Sequence, residues 1–287
     1  MNHLPASPRL PTPEQKRTAL PGHQLVYCVI SQRARGLSIG INMNPDKRCN
    51  FHCAYCEVDR AEEGGPAHVP AAQVVQELRE ILTLVRDGKL RELGYANMPS
   101  ELLELREIAL SGDGEPTLCP NFRDVVAAVA NLRSRGVFPY FKIVLLTNCA
   151  GLHLPEVCAG IAVLSSDDEV WAKLDTGTQA YMDLVNRSDV PLKAILRNIR
   201  DFARKRPVVI QSLFPSIDGN APPDEEIEAY ARCLRDLRVA GAEVSLVQIY
   251  SAHRLPVDSR CGHLPLRVLS KIARRVREVA GLEAEVF

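Results

Sequence analysis

Two hydrophobic rhythms alternate along this chain. Near-continuous apolar runs stand at 37–43 (LSIGINM), 107–112 (EIALSG), 142–148 (KIVLLTN), 169–175 (EVWAKLD), 208–214 (VVIQSLF) and 243–250 (EVSLVQIY), and each predicts a strand. Between them apolar residues recur every three or four positions, at 71–87, 121–135, 154–164, from the fourth strand onward to 205, at 224–240 and at 266–279, and these stretches predict helices. Strands that are apolar throughout belong in a parallel sheet buried on both faces, with crossover helices covering it. Six such units are fewer than the eight that close a regular barrel, so the expected fold is α/β, a partial (β/α)6 TIM-like barrel, with a doubly wound open sheet as the second choice. Both architectures place ligands beyond the C-terminal ends of the strands. The loops after Met43, Ser111, Leu146, Leu174, Phe214 and Ile249 are therefore expected around one cavity, its mouth covered by loops and by the segment 90–105.

Residues 1–24 contain five prolines and little apolar periodicity, which marks a flexible arm or a strap; residues 25–287 are expected to form the single main domain. The 35 basic and 35 acidic residues cancel, so no whole-chain field favours nucleic acid or an anionic membrane. No apolar run is long enough to span a bilayer and the N-terminus lacks the apolar core of a signal peptide, so a cytoplasmic protein with no membrane partner is expected. Nine cysteines in such a chain suit metal ligation better than disulfides, the more so because three fall within eight residues.

Those three are Cys49, Cys53 and Cys56, in the loop MNPDKRCNFHCAYCEVDR that directly follows the first predicted parallel strand. A structural zinc site needs four ligands, whereas an iron–sulfur cluster held by three cysteines keeps one iron open to a substrate atom. The spacing alone also admits a zinc site completed by His52 or a distant cysteine, or three plain buried thiols. After the second strand comes SGDGEPTL, where Gly112 and Gly114 let the backbone approach a ligand and Glu115 can accept from an ammonium group. The third ends at Thr147, Asn148 and Cys149. The fourth carries Lys173 and Asp175, charges that are costly inside an apolar strand unless paired or functional. Gln211 and Gln248 sit in mid-strand, either as hydrogen-bonding wall residues or as a mutually satisfied pair.

The CxxxCxxC motif with an aromatic, Tyr55, before its last cysteine resembles the signature of the radical S-adenosylmethionine (SAM) superfamily. The resemblance runs through most of residues 37–250, and GEPTL, KLD, LVNR and VQIYS are similar to the broad branch that contains the wyosine-forming tRNA enzymes. Those enzymes hold a second cluster with cysteines upstream of the loop, where this chain has only Cys28. The resemblance implies a 4Fe–4S cluster on Cys49, Cys53 and Cys56, and SAM held by Tyr55, Gly112, Gly114, Glu115, Asn148, Lys173, Asp175 and Gln211. It further implies an external electron donor of the flavodoxin or ferredoxin type, and reductive cleavage of SAM to a 5′-deoxyadenosyl radical that acts on a substrate. Relatives often have glycine where Cys149 stands.

Other readings start from the same residues: an activase that places a radical on a partner protein, or a non-catalytic zinc or iron–sulfur module. His253 and Arg254 fall on the expected rim, Arg254 as an anion clamp. Cys119 and Cys149 fall on the same side as thiols within reach of a substrate. A basic stripe on the last helix (Arg267, Lys271, Arg274, Arg275) could meet RNA phosphates, although such a stripe is more often a solvated face.

Overall fold

The computed structural model describes residues 17–252 and 257–287. The apolar runs become strands and the periodic segments helices, in the order β1 (Val26–Ser31), β2 (Gly36–Asn42), α1 (Ala71–Arg86), β3 (Leu105–Ser111), α2 (Phe122–Ser134), β4 (Lys142–Thr147), α3 (Pro155–Ile161) and β5 (Glu169–Lys173). Then follow α4 (Gln179–Val185), α5 (Leu192–Ala203), β6 (Val208–Leu213), β7 (Ser216–Ile217), α6 (Asp224–Val239), β8 (Val244–Tyr250), β9 (Cys261–Gly262), α7 (Leu266–Ala280) and β10 (Ala284–Val286). One eight-stranded sheet has the order β1-β2-β3-β4-β5-β6-β8-β10, and β7 and β9 form a small antiparallel pair. Within the large sheet only β1 runs antiparallel; the six expected strands make its parallel centre.

Two edge strands extend that expectation. β1 buries Val26, Cys28 and Ile30 while Tyr27, Val29 and Ser31 line the lumen, and β10 adds three residues beside β8. The edges approach one another, since Arg35 in the β1–β2 turn pairs with Glu285 on β10 at 2.7 Å and the Arg33 guanidinium stands 4.3 Å from the ring centroid of Tyr250 on β8. The sheet is thus curled into a partial barrel. Helical apolar stripes, such as Val74, Leu78, Ile81 and Leu82 of α1 and Leu269, Ile272 and Val276 of α7, are buried in the main core.

The segment 90–105 takes a different place from the one expected. It follows α1, which carries the chain away from the mouth, and it leads directly into β3. It therefore packs at the N-terminal ends of the strands, where the carbonyl of Glu104 accepts from the Leu37 N–H at 3.0 Å and Leu90 and Tyr95 are buried. The end of the N-terminal arm is tied down: Thr18 and Cys28 exchange backbone hydrogen bonds, and Arg17 pairs with Asp113. No helix among the described residues is long and apolar enough to cross a membrane.

The start of β1 depends on one side chain. Glu77 of α1, 4% exposed, accepts from the backbone N–H groups of Gln24 (3.2 Å), Leu25 (2.9 Å) and Val26 (2.9 Å), and Gln73 donates to it from one helical turn away at 2.8 Å. Removing it strands backbone donors in the interior. Glu77→Ala is expected to destabilise the protein by about 2–4 kcal/mol, with a smaller loss for Glu77→Gln, as read by denaturant unfolding.

Candidate functional site

The cysteine loop leaves the C-terminal end of β2 without regular structure of its own and is held by backbone bonds to its surroundings. Ser111 O accepts from Met43 N at 2.8 Å, Arg48 O from Glu115 N at 2.9 Å, Asn50 O from Asp189 N at 3.1 Å and Val185 O from Ala54 N at 2.7 Å. The end of β3 with the residues after it, and the end of α4 with its connection to α5, thereby fix its path. Each cysteine sulfur then accepts one N–H: Cys49 from the Phe51 backbone at 3.4 Å, Cys53 from Asn186 Nδ2 at 3.5 Å and Cys56 from Arg60 Nη1 at 3.1 Å. Burial pushes the thiol of Cys49 up to about 12 and that of Cys53 to about 11. Both thiols stay protonated near neutral pH, and binding a metal centre would release their protons. His52, which would complete a zinc set, is exposed. Among the described residues no fourth His, Cys, Asp or Glu side chain joins the three cysteines as the closed set of a structural zinc site. A trio of sulfurs, each with its own N–H donor, fits an iron–sulfur cluster.

The glycines after β3 are there because of that loop. A Cβ on Gly114 would lie 2.0 Å from Arg48 O, and one on Gly112, whose φ is +149°, would lie 2.5 Å from Asn42 Oδ1. Gly112 lines the cavity of the barrel; Gly114 packs on the cysteine loop. Glu115 is buried and its carboxylate is fully engaged within the protein. Oε1 accepts from Thr117 N (3.1 Å), Thr117 Oγ1 (2.7 Å) and Thr147 Oγ1 (2.5 Å), and Oε2 accepts from Asn148 N at 2.7 Å. Burial raises its pKa against the pull of these donors. Asn148 in turn donates to Asn50 Oδ1 at 2.7 Å, binding the end of β4 to the cysteine loop. Cys149 has φ of +68°, the left-handed conformation that glycine adopts without cost, and its buried sulfur faces the carbonyls of Thr147 and Lys173.

Behind the last cysteine lies a buried polar network. Asp175 accepts from Tyr55 Oη at 2.5 Å, Asn186 Nδ2 at 2.8 Å and Leu213 N at 2.8 Å, and its Oδ1 lies 3.3 Å from Lys173 Nζ. Lys173 also donates to Tyr250 Oη at 3.2 Å, and its ammonium stands over the rings of Tyr55 (5.2 Å) and Tyr250 (5.5 Å). Burial lowers the Lys173 pKa, but Asp175, Tyr250 and Cys53 more than offset it, so the ammonium holds its proton. Burial, reinforced by Asp175, keeps Tyr55 protonated as the donor. Gln211 accepts from Tyr250 Oη at 3.1 Å and reaches Gln248 only at 3.5 Å. Tyr55, Cys56, Lys173, Gln211 and Tyr250 all line one cavity of about 340 Å³ that runs down the lumen.

The structure thus gathers Tyr55, Cys56, Gly112, Lys173 and Gln211 on the cavity wall, with Glu115, Asn148 and Asp175 behind it as supports. Arg60 and Asn186, the side-chain donors to Cys56 and Cys53, were not among the expected site residues. The only hint of either was Asn186 in the LVNR run. Cys119 is buried with its sulfur 3.5 Å from Asn121 Oδ1, and neither it nor Cys149 lines the cavity. His253 and Arg254 lie outside the described residues. On α7 the basic stripe is largely neutralised: Lys271 pairs with Asp224, Arg275 with Glu228 and Glu278, and Arg274 with Glu278.

Residues 43–234 match the radical SAM superfamily. A UPF0026 protein of Helicobacter pylori is 22% identical over 234 residues, covering 81% of this chain and 69% of the relative. Among solved structures, Streptococcus suis SuiB bound to S-adenosylmethionine superposes with a TM-score of 0.59 at 13% identity; 85% of this chain is covered, and the chain spans 49% of SuiB. TYW1 with a lysine–pyruvate adduct bound gives a TM-score of 0.55 at 14% identity, covering 89% of this chain and 84% of that one. At these identities the structural likeness shows a shared fold.

The carboxylate of Glu115 is the joint between β3 and β4. Glu115→Gln would turn an amide N–H toward the Asn148 N–H, and is expected to cost about 2 kcal/mol in urea unfolding. An unchanged midpoint would contradict its role as a clamp.

Proposed function

This chain belongs to the radical SAM superfamily, and on that premise we propose that Cys49, Cys53 and Cys56 hold its cluster, with SAM bound in the mouth of the barrel beside them. It is an enzyme of that superfamily, whose cofactors are a 4Fe–4S cluster and SAM. When bound, they supply reductive cleavage of SAM and a 5′-deoxyadenosyl radical that takes a hydrogen atom from the substrate. The observation that supports the assignment best is that all three sulfurs lie on one loop at the C-terminal mouth, each fed by an N–H donor, with Cys56 on the wall of the cavity.

The remaining roles follow from which groups have capacity left. Glu115 is buried and accepts four hydrogen bonds from Thr117, Thr147 and Asn148, so it shapes the floor of the SAM site while the backbone at Gly112 meets SAM's amino group. Lys173 spends two of its three N–H donors on Asp175 and Tyr250, and the third is available to an acceptor in the cavity. Asp175, Tyr55 and Asn186 hold that lysine and keep it charged. Gln211 keeps donor capacity toward the lumen, because its contact with Gln248 is long. Arg60 and Asn186 direct positive and partial positive charge at cluster sulfurs, which favours the reduced state. Leu146 and Trp171 give the cavity an apolar wall that excludes water from reactive species. The electron is taken to come from a separate flavodoxin- or ferredoxin-type protein.

Anaerobic reconstitution with iron and sulfide, then dithionite and SAM, is expected to yield 5′-deoxyadenosine by chromatography. Cys53→Ala is expected to lower the yield at least a hundredfold, and Lys173→Met at least tenfold. Wild-type yield from Cys53→Ala would contradict the assignment.

A further inference from the structure

The inner end of the lumen, away from the cysteine loop, carries polar groups that this chemistry does not use. Glu107 on β3 is 2% exposed and lines the cavity. Its Oε1 accepts from Ser38 Oγ at 3.0 Å, whereas its Oε2, equally shielded from water, has no partner among the described residues. Burial lifts its pKa to about 7, against the opposing pull of Ser38, Lys142 and Arg33. Arg33 enters the same cavity from the β1–β2 turn, spreads its guanidinium over Tyr250 and leaves its buried Nε without an acceptor there. Arg33 and Glu107 are near enough for each to feel the other's charge, yet the Glu107 oxygen and the Arg33 Nε stay unmatched. Each orphaned atom is costly, and a direct contact between the two would have removed both costs.

The sign of the charges narrows what could lie between them. Lys142 is already paired with Glu169 at 2.7 Å, so among the described residues the inner end offers one cation with a spare donor and one carboxylate with a spare acceptor. A phosphate would be repelled by Glu107, and a lone ammonium by Arg33. A group that carries both charges satisfies both walls, and the modest lumen limits it to a small molecule. Ala109, two residues along β3 from Glu107, lines the same cavity with no more than a methyl group.

We infer that the inner lumen binds the polar end of the substrate, and that this end is the ammonium and carboxylate of a small amino-acid-class molecule, received by Glu107 and Arg33 respectively. The rest of the molecule then points up the lumen toward Lys173 and the cysteine loop. The inference rests on the radical SAM reading for calling the ligand a substrate, but the binding itself does not require turnover.

The test uses the anaerobically reconstituted full chain saturated with SAM, so that SAM's own aminocarboxylate is not what is read. Each L-α-amino acid is titrated by calorimetry alongside its N-acetyl and α-amide derivatives. At least one parent zwitterion is expected to bind, and blocking either charge should weaken it tenfold or more. Glu107→Gln should weaken the parent at least tenfold and leave the N-acetyl derivative unaffected; Arg33→Gln should do the same with respect to the amide. Should either variant fail to fold, the blocked derivatives on wild-type protein still distinguish the two outcomes. Binding by none of the zwitterions, equal binding of the blocked forms, or binding only when SAM is withheld would overturn the inference. Cleavage of SAM in the same wild-type sample separates that failure from failure of the family reading.

Discussion

A loop without regular structure has to present three sulfurs in a fixed arrangement, and the close passage of Gly114 beneath the carbonyl of Arg48 is what makes this achievable. No side chain fits there, and the next residue donates its backbone N–H to the same carbonyl at 2.9 Å. Glu115 then ties this contact sideways to β4 through Asn148, and Asn148 returns to the loop at Asn50. The result is a closed circuit of β3, β4 and loop. The link at Glu115 is the buried one, and its loss would leave a charged carboxylate and a backbone N–H unpaired, which is the costly case. Gly114 and Glu115 of this motif therefore build the socket that holds the cysteine loop, while Gly112 faces the cavity.

The lumen poses a second constraint, because a curled sheet must fill or line its own interior. Here an apolar patch of Val144, Trp171 and Val209 takes up part of it. The remainder is lined by small, apolar and polar side chains, among them Ser38, Glu107, Lys173 and Gln211. Near the mouth the charged groups are mutually satisfied: Lys173 and Asp175 would be expensive alone, and Tyr55, Asn186 and Tyr250 complete their bonding. Deeper in, Glu107 and Arg33 are not satisfied. On the reading proposed above, the lumen takes two occupants: the spare N–H groups of Lys173 and Gln211 face the cofactor near the mouth, and Glu107 and Arg33 face a second molecule at the base.

Much of this was legible beforehand. Six strands were visible because their sequences are apolar at most positions, and their C-terminal ends located the cavity. β1 escaped notice because it follows a proline-rich arm and faces the lumen with Tyr27, Val29 and Ser31; β10 has three residues, too few to show a period. The segment 90–105 was misplaced because composition does not tell which end of a barrel a connection covers, although its position immediately before a strand does. At the site, the cysteine spacing could be read locally, whereas the left-handed residue at Cys149 was signalled only by the glycine that relatives place there. The satisfaction of Glu115 could not, since Thr147 and Asn148 come from the next strand. Arg60 and Asn186 escaped for a related reason: a donor to sulfur has no spacing rule, and its meaning depends on where the loop folds.

The most direct test of this picture is Mössbauer spectroscopy of protein reconstituted with iron-57, recorded before and after SAM is added. Three protein thiolates on a cubane leave one iron free, so SAM should shift the spectrum of one iron in four and leave the others in place. A spectrum that SAM does not change, or protein that retains a single zinc and assembles no cluster, would contradict the account.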